Sequence, residues 1–533
     1  MVMVGRVGSR YPVPAAYHYC YFFDFLLLPS ARRFRLETID HSFDPFMCKA
    51  NLYYTLILCF LAACLNAAPR LTVVAVVDGL TAENLATLRP YWLQGGFRTL
   101  SEEAFQTTVA YPHLVYGGNE TTATLMTGVT PDRHGFSMDA YFARRDRRTH
   151  AMLEDKSVRG IGTGLQISAK NLLAQTLTDR MRLMYPEAKI YAIGLQPETS
   201  VLLAGHAANA CCWIDAESRQ WVATAAYTEG LPSAAYEQNK SGKIATLAAR
   251  QWTPRMDIPT YTAPTAQEQK KGFTYNVADV LLHSPQANTL VIELALAIQK
   301  AERLGMDAIP DVLMLQLNTL SPAAQSDRIA SAEHEDMYLW LNQDMGFLME
   351  QLDKRIGRTN YQILVVGRPM TGTDPQTLAD IHMPVQDFNA DRAAALTGTY
   401  LMALYGHERW VDGAYGQSLY LNRTLIEQKR LNLETIQRQV ANFLMDFEGI
   451  QIAMPNYEAM RYPMLGASLC KRHTGDVVFM LQPGWRLMEN ENKRIDKVVD
   501  DNPVSPLLLW SGTIRPMPQN QLTATDVADL IFH

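Results

Sequence analysis

The sequence predicts an α/β protein with a mainly parallel central sheet and helices on both faces. Three observations carry that expectation. Short unbroken apolar runs, "RLTVVAVVDGL" (70–80), "DVLMLQLNTL" (311–320) and "YQILVVG" (361–367), have the length and β-branched content of strands buried on both faces. Longer stretches repeat their apolar residues at helical spacing, above all "AEHEDMYLWLNQDMGFLMEQLDKRIG" (332–357). The two kinds alternate along the chain, which points to βα units.

The N-terminus stands apart from this pattern. Residues 1–46 hold aromatic and aliphatic clusters without a domain pattern. Met47 then opens a secretory layout: Lys49 as the basic region, Leu52 to Leu65 as the apolar region, small residues after it. We read 1–46 as an upstream extension, 47–68 as a signal peptide and 69–533 as the folded domain; the competing reading is an internal apolar segment in a membrane-tethered protein. "LAAC" (61–64) fits a lipobox ending at Cys64, against ordinary cleavage near Ala67 or Ala68. Either way the chain is expected to be exported, to a periplasm or to a lipid anchor of a Gram-negative-type envelope. Beyond residue 65 the cysteines are Cys211, Cys212 and Cys470, too few and too badly spaced for a disulfide framework.

The first strand, 70–80, ends in Asp-Gly and so carries Asp78 at its carboxyl end, where open α/β sheets place their sites. A helix is expected over 81–95, broken at "QGG", then a strand and loop over 97–113. "VYGGNETTATLMTGVTPDRHG" (115–135) reads as a helix running into a tight turn. Helical spacing covers 168–186, a strand follows at 188–195, and Cys211-Cys212-Trp213 read as core residues on a strand. Residues about 215–275, rich in Thr, Pro, Gln and Tyr, read as an insertion, and about 372–475 as a cap. Strand behaviour resumes at 476–485 and 505–512. A net charge of −6 with mixed signs gives no basic footprint for nucleic acid.

"VVDGL", "GGFRTL", "MTGVTPDRHG", "SAKNLLAQTLTDRMRL", "LLAGHAANACCW", "LNQDMGFLMEQLDKRIG" and "GDVVFMLQPGW", in this order, resemble the alkaline phosphatase superfamily, and within it the periplasmic phosphate-irrepressible enzymes with a threonine nucleophile. The likeness covers nearly all of 70–533. It implies two zinc ions held by Asp and His, a covalent intermediate on threonine, and Lys, Arg and Asn on the phosphate oxygens.

Most of those positions are substituted here. The nucleophile position falls on Gly118, and the phosphate-binding asparagine on Asp139. Lys-x-Arg has become Gln196-Pro197-Glu198. The Asp-x-x-x-His pair falls on Ser321 and Gln325, and Asp-His-Gly on Gly367-Arg368-Pro369. The last histidine falls near Ile495. Asp78 is the one matching metal ligand. Thr121 and Thr122 are the nearest displaced nucleophiles, and His134, His206, His334 and His473 read as structural. Asp78, Asp139, Glu198 and Glu120 would face a cleft whose new cation is Arg368, expected to pair with Asp78 in place of metal charge.

The expectation is therefore an exported pseudoenzyme with no cofactor, serving as a binding or accessory subunit of an envelope complex beside an unnamed protein partner. Two other readings stay open: a divergent phosphatase or phosphodiesterase with a rearranged zinc site, and a non-catalytic module that binds a ligand in an acidic cleft.

Overall fold

Every residue of Leu71–Asp78 (β1) is buried. Its side chains divide between two cores, Leu71, Val73, Ala75 and Val77 on one face, Val74 and Val76 on the other. That is the period-two projection of a strand covered on both sides. The computed structural model describes residues 68–532 apart from 93, 325–326, 371, 373–374, 490–492, 495–502 and 514–521. The expected extension, the leader up to 67, Cys64, Gln325 and Ile495 lie outside the described residues.

Among the described residues ten strands form the central sheet. After β1 come Phe105–Ala110 (β2), Gly160–Ile161 (β3), Ile190–Gly194 (β4), Ala210–Asp215 (β5), Gln220–Thr224 (β6), Asp311–Asn318 (β7), Tyr361–Arg368 (β8), Val504–Ser511 (β9) and Leu522–Thr523 (β10). Their order is β10-β2-β9-β8-β1-β7-β4-β5-β6-β3. The five central strands, β8-β1-β7-β4-β5, run parallel. Antiparallel pairing of β8 with β9, β9 with β2, β5 with β6 and β6 with β3 makes the whole sheet mixed.

Helices cover both faces. Asn119–Thr127 (α1) and Pro197–Ala204 (α2) pack on the face that takes Val74 and Val76. Pro285–Glu302 and the 25-residue Ala332–Ile356 (α3) pack on the other. Among the described residues no helix is long and apolar enough to cross a membrane.

Several local expectations change. The stretch 97–104 is mostly helix, Gly96–Glu103, seated on α3: the Phe97 amide donates to Asn342 Oδ1 at 2.8 Å. A Cβ on Gly96, at φ 53°, would lie 2.1 Å from the Asn342 carbonyl oxygen, so glycine is what lets the two backbones touch. The helix expected over 81–95 is only Ala82–Leu88 followed by a 3-10 turn. The helix expected over 168–186 is confined to Leu177–Met184, because Thr176 and Asp179 close a capping box at its start.

The insertion is not peripheral. It supplies β6 to the sheet and Trp221, Trp252 and Tyr261 to the larger core. The cap builds its own core around Trp410, Leu419 and Phe479. Its four-stranded sheet takes in Val477–Leu481, and a second small sheet takes in Trp485–Glu489, so it runs past 475. An apolar run such as "VVFML" reads alike for either sheet.

Candidate functional site

The carboxyl ends of β1, β7 and β8 lie side by side, and the parallel register sets Asp78 opposite both Asn318 and Arg368. Asp78, Gln316 and Arg368 share the parity of the residues facing α1 and α2, so all three project toward the starts of those helices. Arg368 is 1% exposed. Its Nε donates to Asp78 Oδ1 at 2.7 Å and its Nη2 to Asp78 Oδ2 at 2.8 Å. Its Nη1 donates to Thr122 Oγ1 of α1 at 2.7 Å and Thr199 Oγ1 of α2 at 3.0 Å. Burial works against the charge of this guanidinium; Asp78, with Glu120 and Asp139 behind it, outweighs burial and raises its pKa. The pair expected from the sequence is present, and it ties two strand ends to two helices.

Gln316 completes the shell around Asp78. Its Nε2 donates to Asp78 Oδ2 at 2.8 Å, while its Oε1 accepts from the Leu195 and Gln196 amides at 3.0 Å each. The Gln196 side chain stands 3.4 Å from that same Nε2. Both oxygens of Asp78 thus accept hydrogen bonds from protein donors, three in all.

Gly118 caps the start of α1. A Cβ there would lie 2.6 Å from Asp139 Oδ1, so at the position expected for the nucleophile the space of a side chain is taken by a carboxylate. Asp139 Oδ1 also accepts from the Asn119 amide at 2.8 Å. The Asp139 residue keeps an exposed side, while its carboxylate lies against the Gly118 backbone and the Asn119 amide. Burial, then the charge of Glu120, pushes its pKa up to about 6. Glu198, in the first turn of α2, is raised by burial and then by the Asp139 charge. Glu120 is buried; its Oε1 accepts from the Tyr116 and Gly118 amides and from Thr121 Oγ1. Thr121 and Thr122 are therefore engaged, one by Glu120 and the other by Arg368.

The remaining positions are structural in this geometry. Ser321 Oγ donates to Glu333 Oε1 at 2.7 Å, pinning the loop after β7 to the start of α3. A Cβ on Gly367 would lie 2.5 Å from the Leu80 carbonyl oxygen, so any larger residue there is shut out. His134 is buried with Nε2 on Thr124 Oγ1, His334 is buried in α3, and His473 packs on Tyr141. His206 bonds Asp179 and the Leu172 carbonyl and stays half-exposed.

Sequence reasoning missed Thr199 and Gln316. Gln316 could have been found, since it lies two residues before the end of β7 and shares the parity of Asp78 in its neighbour. Thr199 had no signal: its role depends on where α2 starts relative to the sheet.

A zinc pair needs about three protein ligands per ion. Among the described residues no three His, Cys, Asp or Glu side chains are placed to hold a metal ion. Asp78, the ligand expected from the sequence, already accepts three hydrogen bonds from Arg368 and Gln316. The donor set described here does not fit the group that the fold implies.

The sequence profile described as type I phosphodiesterase / nucleotide pyrophosphatase matches residues 72–503. Alkaline phosphatase PhoV of Synechococcus elongatus is 25% identical over 79% of this chain and 81% of its own length. Alkaline phosphatase PafA of Elizabethkingia meningoseptica is 24% identical over 70% of this chain and 72% of its own. A protein of Myroides odoratus named as a calcium-transporting ATPase is 24% identical over 78% and 82%. The crystal structure of wild-type alkaline phosphatase PafA shares the fold, with a TM-score of 0.76 over 86% of this chain and 94% of that one, at 21% identity.

Proposed function

The chain belongs to the type I phosphodiesterase / nucleotide pyrophosphatase family, and we propose that it is a member that has given up hydrolysis and kept the fold for binding. One observation carries this reading: the carboxylate that would ligate a metal is consumed by the Arg368 guanidinium and the Gln316 amide. The site that would attack a phosphate is a glycine closed over by Asp139. A buried, bidentate arginine–carboxylate pair is costly to open, because either partner alone is an uncompensated buried charge. A hydroxyl with neither metal nor base beside it is a weak nucleophile. Thr122, whose oxygen faces the Arg368 cation, fits that description.

In this reading the protein is exported, either free in the periplasm or lipid-anchored through Cys64, and acts as a binding or accessory subunit beside an envelope protein. The apolar segment 52–65 supports export.

The names of the relatives favour a second reading, a phosphatase or phosphodiesterase whose metal site is rearranged. Metal analysis of the purified chain, run with turnover of an aryl phosphate and an aryl phosphodiester, separates the two. Less than one zinc per chain and no zinc-dependent turnover is the expected result. Two bound zinc ions with zinc-dependent turnover would overturn the proposal.

A further inference from the structure

Away from the strand ends, the hairpin formed by Ala140–Ala143 and Arg148–Ala151 leans on the cap. The contact is tight: a Cβ on Gly413 would lie 2.7 Å from the Phe142 ring, and the rings of Phe142 and Tyr420 are 4.6 Å apart. The tip of this hairpin reads "ARRDRR" (143–148) in a chain of net charge −6. At the seam lies a recess of ≈ 330 Å³ lined by Arg144, Arg147 and Arg423 together with Asp412.

The way these arginines are held matters more than their number. Arg423 gives only its Nε to Asp476 Oδ1, at 2.6 Å, and Arg147 sets its Nε 2.9 Å from Asp412 Oδ1. Both carboxylates are buried, Asp476 completely. Arg144 spends its Nη1 on the Leu421 carbonyl, sets Nη2 2.9 Å from Asp476 Oδ2, and lies over the Tyr420 ring at 5.0 Å. The Nε hydrogen bond to Asp476 fixes the plane of Arg423 and leaves its terminal pair of N–H groups as an open fork; Arg147 meets Asp412 by charge alone, since Asp412 Oδ1 accepts no hydrogen bond, and its terminal N–H groups form a second fork. Arg147 and Arg423 are each 40–50% exposed at the side chain, so two such forks reach the recess with solvent access.

The geometry points to an oxyanion site at this seam, taking a phosphate group carried by a small molecule or by a lipid headgroup. Two forks held at separate anchors call for a group with at least three acceptor oxygens; a carboxylate, with two, satisfies only one fork. Asp412 lines the recess and Asp476 is fully buried; against these two carboxylates stand Arg144, Arg147 and Arg423, and Arg145 and Arg148 add exposed positive charge to the same hairpin. The inference is independent of whether the strand-end site hydrolyses anything.

Calorimetric titration of the purified chain with inorganic phosphate at low ionic strength tests it, in parallel with co-sedimentation on phosphatidylcholine vesicles with and without phosphatidylglycerol. Saturable binding of either probe is expected. R147Q should weaken it about tenfold, and R147Q with R423Q about a hundredfold. Where R423Q unfolds the cap, R423K keeps a charge beside Asp476 but removes the fork, and should weaken binding as R147Q does. R145Q, on the same hairpin but outside the recess, should stay within about twofold. Phosphate without vesicle binding identifies a free anion as the source; vesicle binding with the same sensitivity identifies a headgroup. The proposal is overturned if neither probe binds, if binding ignores Arg147 and Arg423 and so belongs to the strand-end cleft, or if R145Q costs as much as R147Q.

Discussion

At the scale of single residues, Arg368 is the position on which the site turns. Its replacement by Met leaves Asp78 buried without a cation, and should destabilise the protein by about 3–5 kcal/mol. A denaturant melt of R368M that matches the unmodified chain would show that the pair is not holding the strand ends. Combining R368M with D78L should recover part of the loss, since the double change removes both charges. Gly118 makes a complementary prediction. G118T places a hydroxyl at the nucleophile position, yet its Cβ would lie 2.6 Å from Asp139 Oδ1, so it should cost about 1–3 kcal/mol and yield no turnover of an aryl phosphate. The Asp139 carboxyl, raised to about 6, binds its proton more tightly in the folded chain than in the unfolded one. Its contribution to stability is complete below about pH 4 and is lost as pH rises through 6. D139N should therefore raise the melting temperature at pH 8 by more than it does at pH 4; water at its open side screens the effect, so the sign is the measurement. The losses expected at Gly118, Gln196 and Glu198 rest on sequence alone, each inside a well-matched segment. The company Arg368 keeps was only half legible: parity on neighbouring strands yields Asp78 and Gln316, whereas Thr122 and Thr199 come from the rotation of two helices against the sheet.

At the scale of elements, the start of α3 shows how an insertion becomes structural. Thr265 and Glu268 close a capping box, and the Glu268 carboxylate then accepts from the Ala332 and Glu333 amides at 3.1 and 3.0 Å. A side chain from the insertion so satisfies two orphan donors of a helix more than sixty residues later and places a negative charge at its positive end. E268A should cost about 1–2 kcal/mol, and hydrogen exchange at the first turn of α3 should quicken more than at its middle. If the two ends of α3 respond alike, the cap is not the reason. Sequence reading named the insertion but not its share of the core, because polar composition in 215–275 says nothing of Trp221, Trp252 and Tyr261 being turned inward. Strands came through best. Eight-residue apolar runs such as β1, β7 and β8 have no other good solution, whereas Gly96–Glu103 has a helix only because Gly95 and Gly96 let it settle on α3.

At the scale of the molecule, the parallel centre was legible and the mixed edges were not. A flanking strand such as β9 carries the same apolar run as a central one, and only its pairing partners set its direction. The cap suffered likewise, its boundary drawn before 476 when its own sheet continues beyond that residue. A whole-molecule prediction follows from the proposed loss of the metal centre: melting temperature, followed by calorimetry, should be unchanged after exhaustive dialysis against EDTA. A fall of several degrees, reversed by zinc, would locate a metal within the folded chain.

The Asp78–Arg368 pair has one further consequence, in supply rather than in stability. Sites that depend on captured ions can be starved, overloaded, or filled with the wrong metal, and chelators strip them. A cation that is part of the polypeptide is delivered at translation, one per chain, and cannot be competed away. With the metal centre lost as proposed, the chain should reach its mature form at the same rate in surroundings rich or poor in zinc.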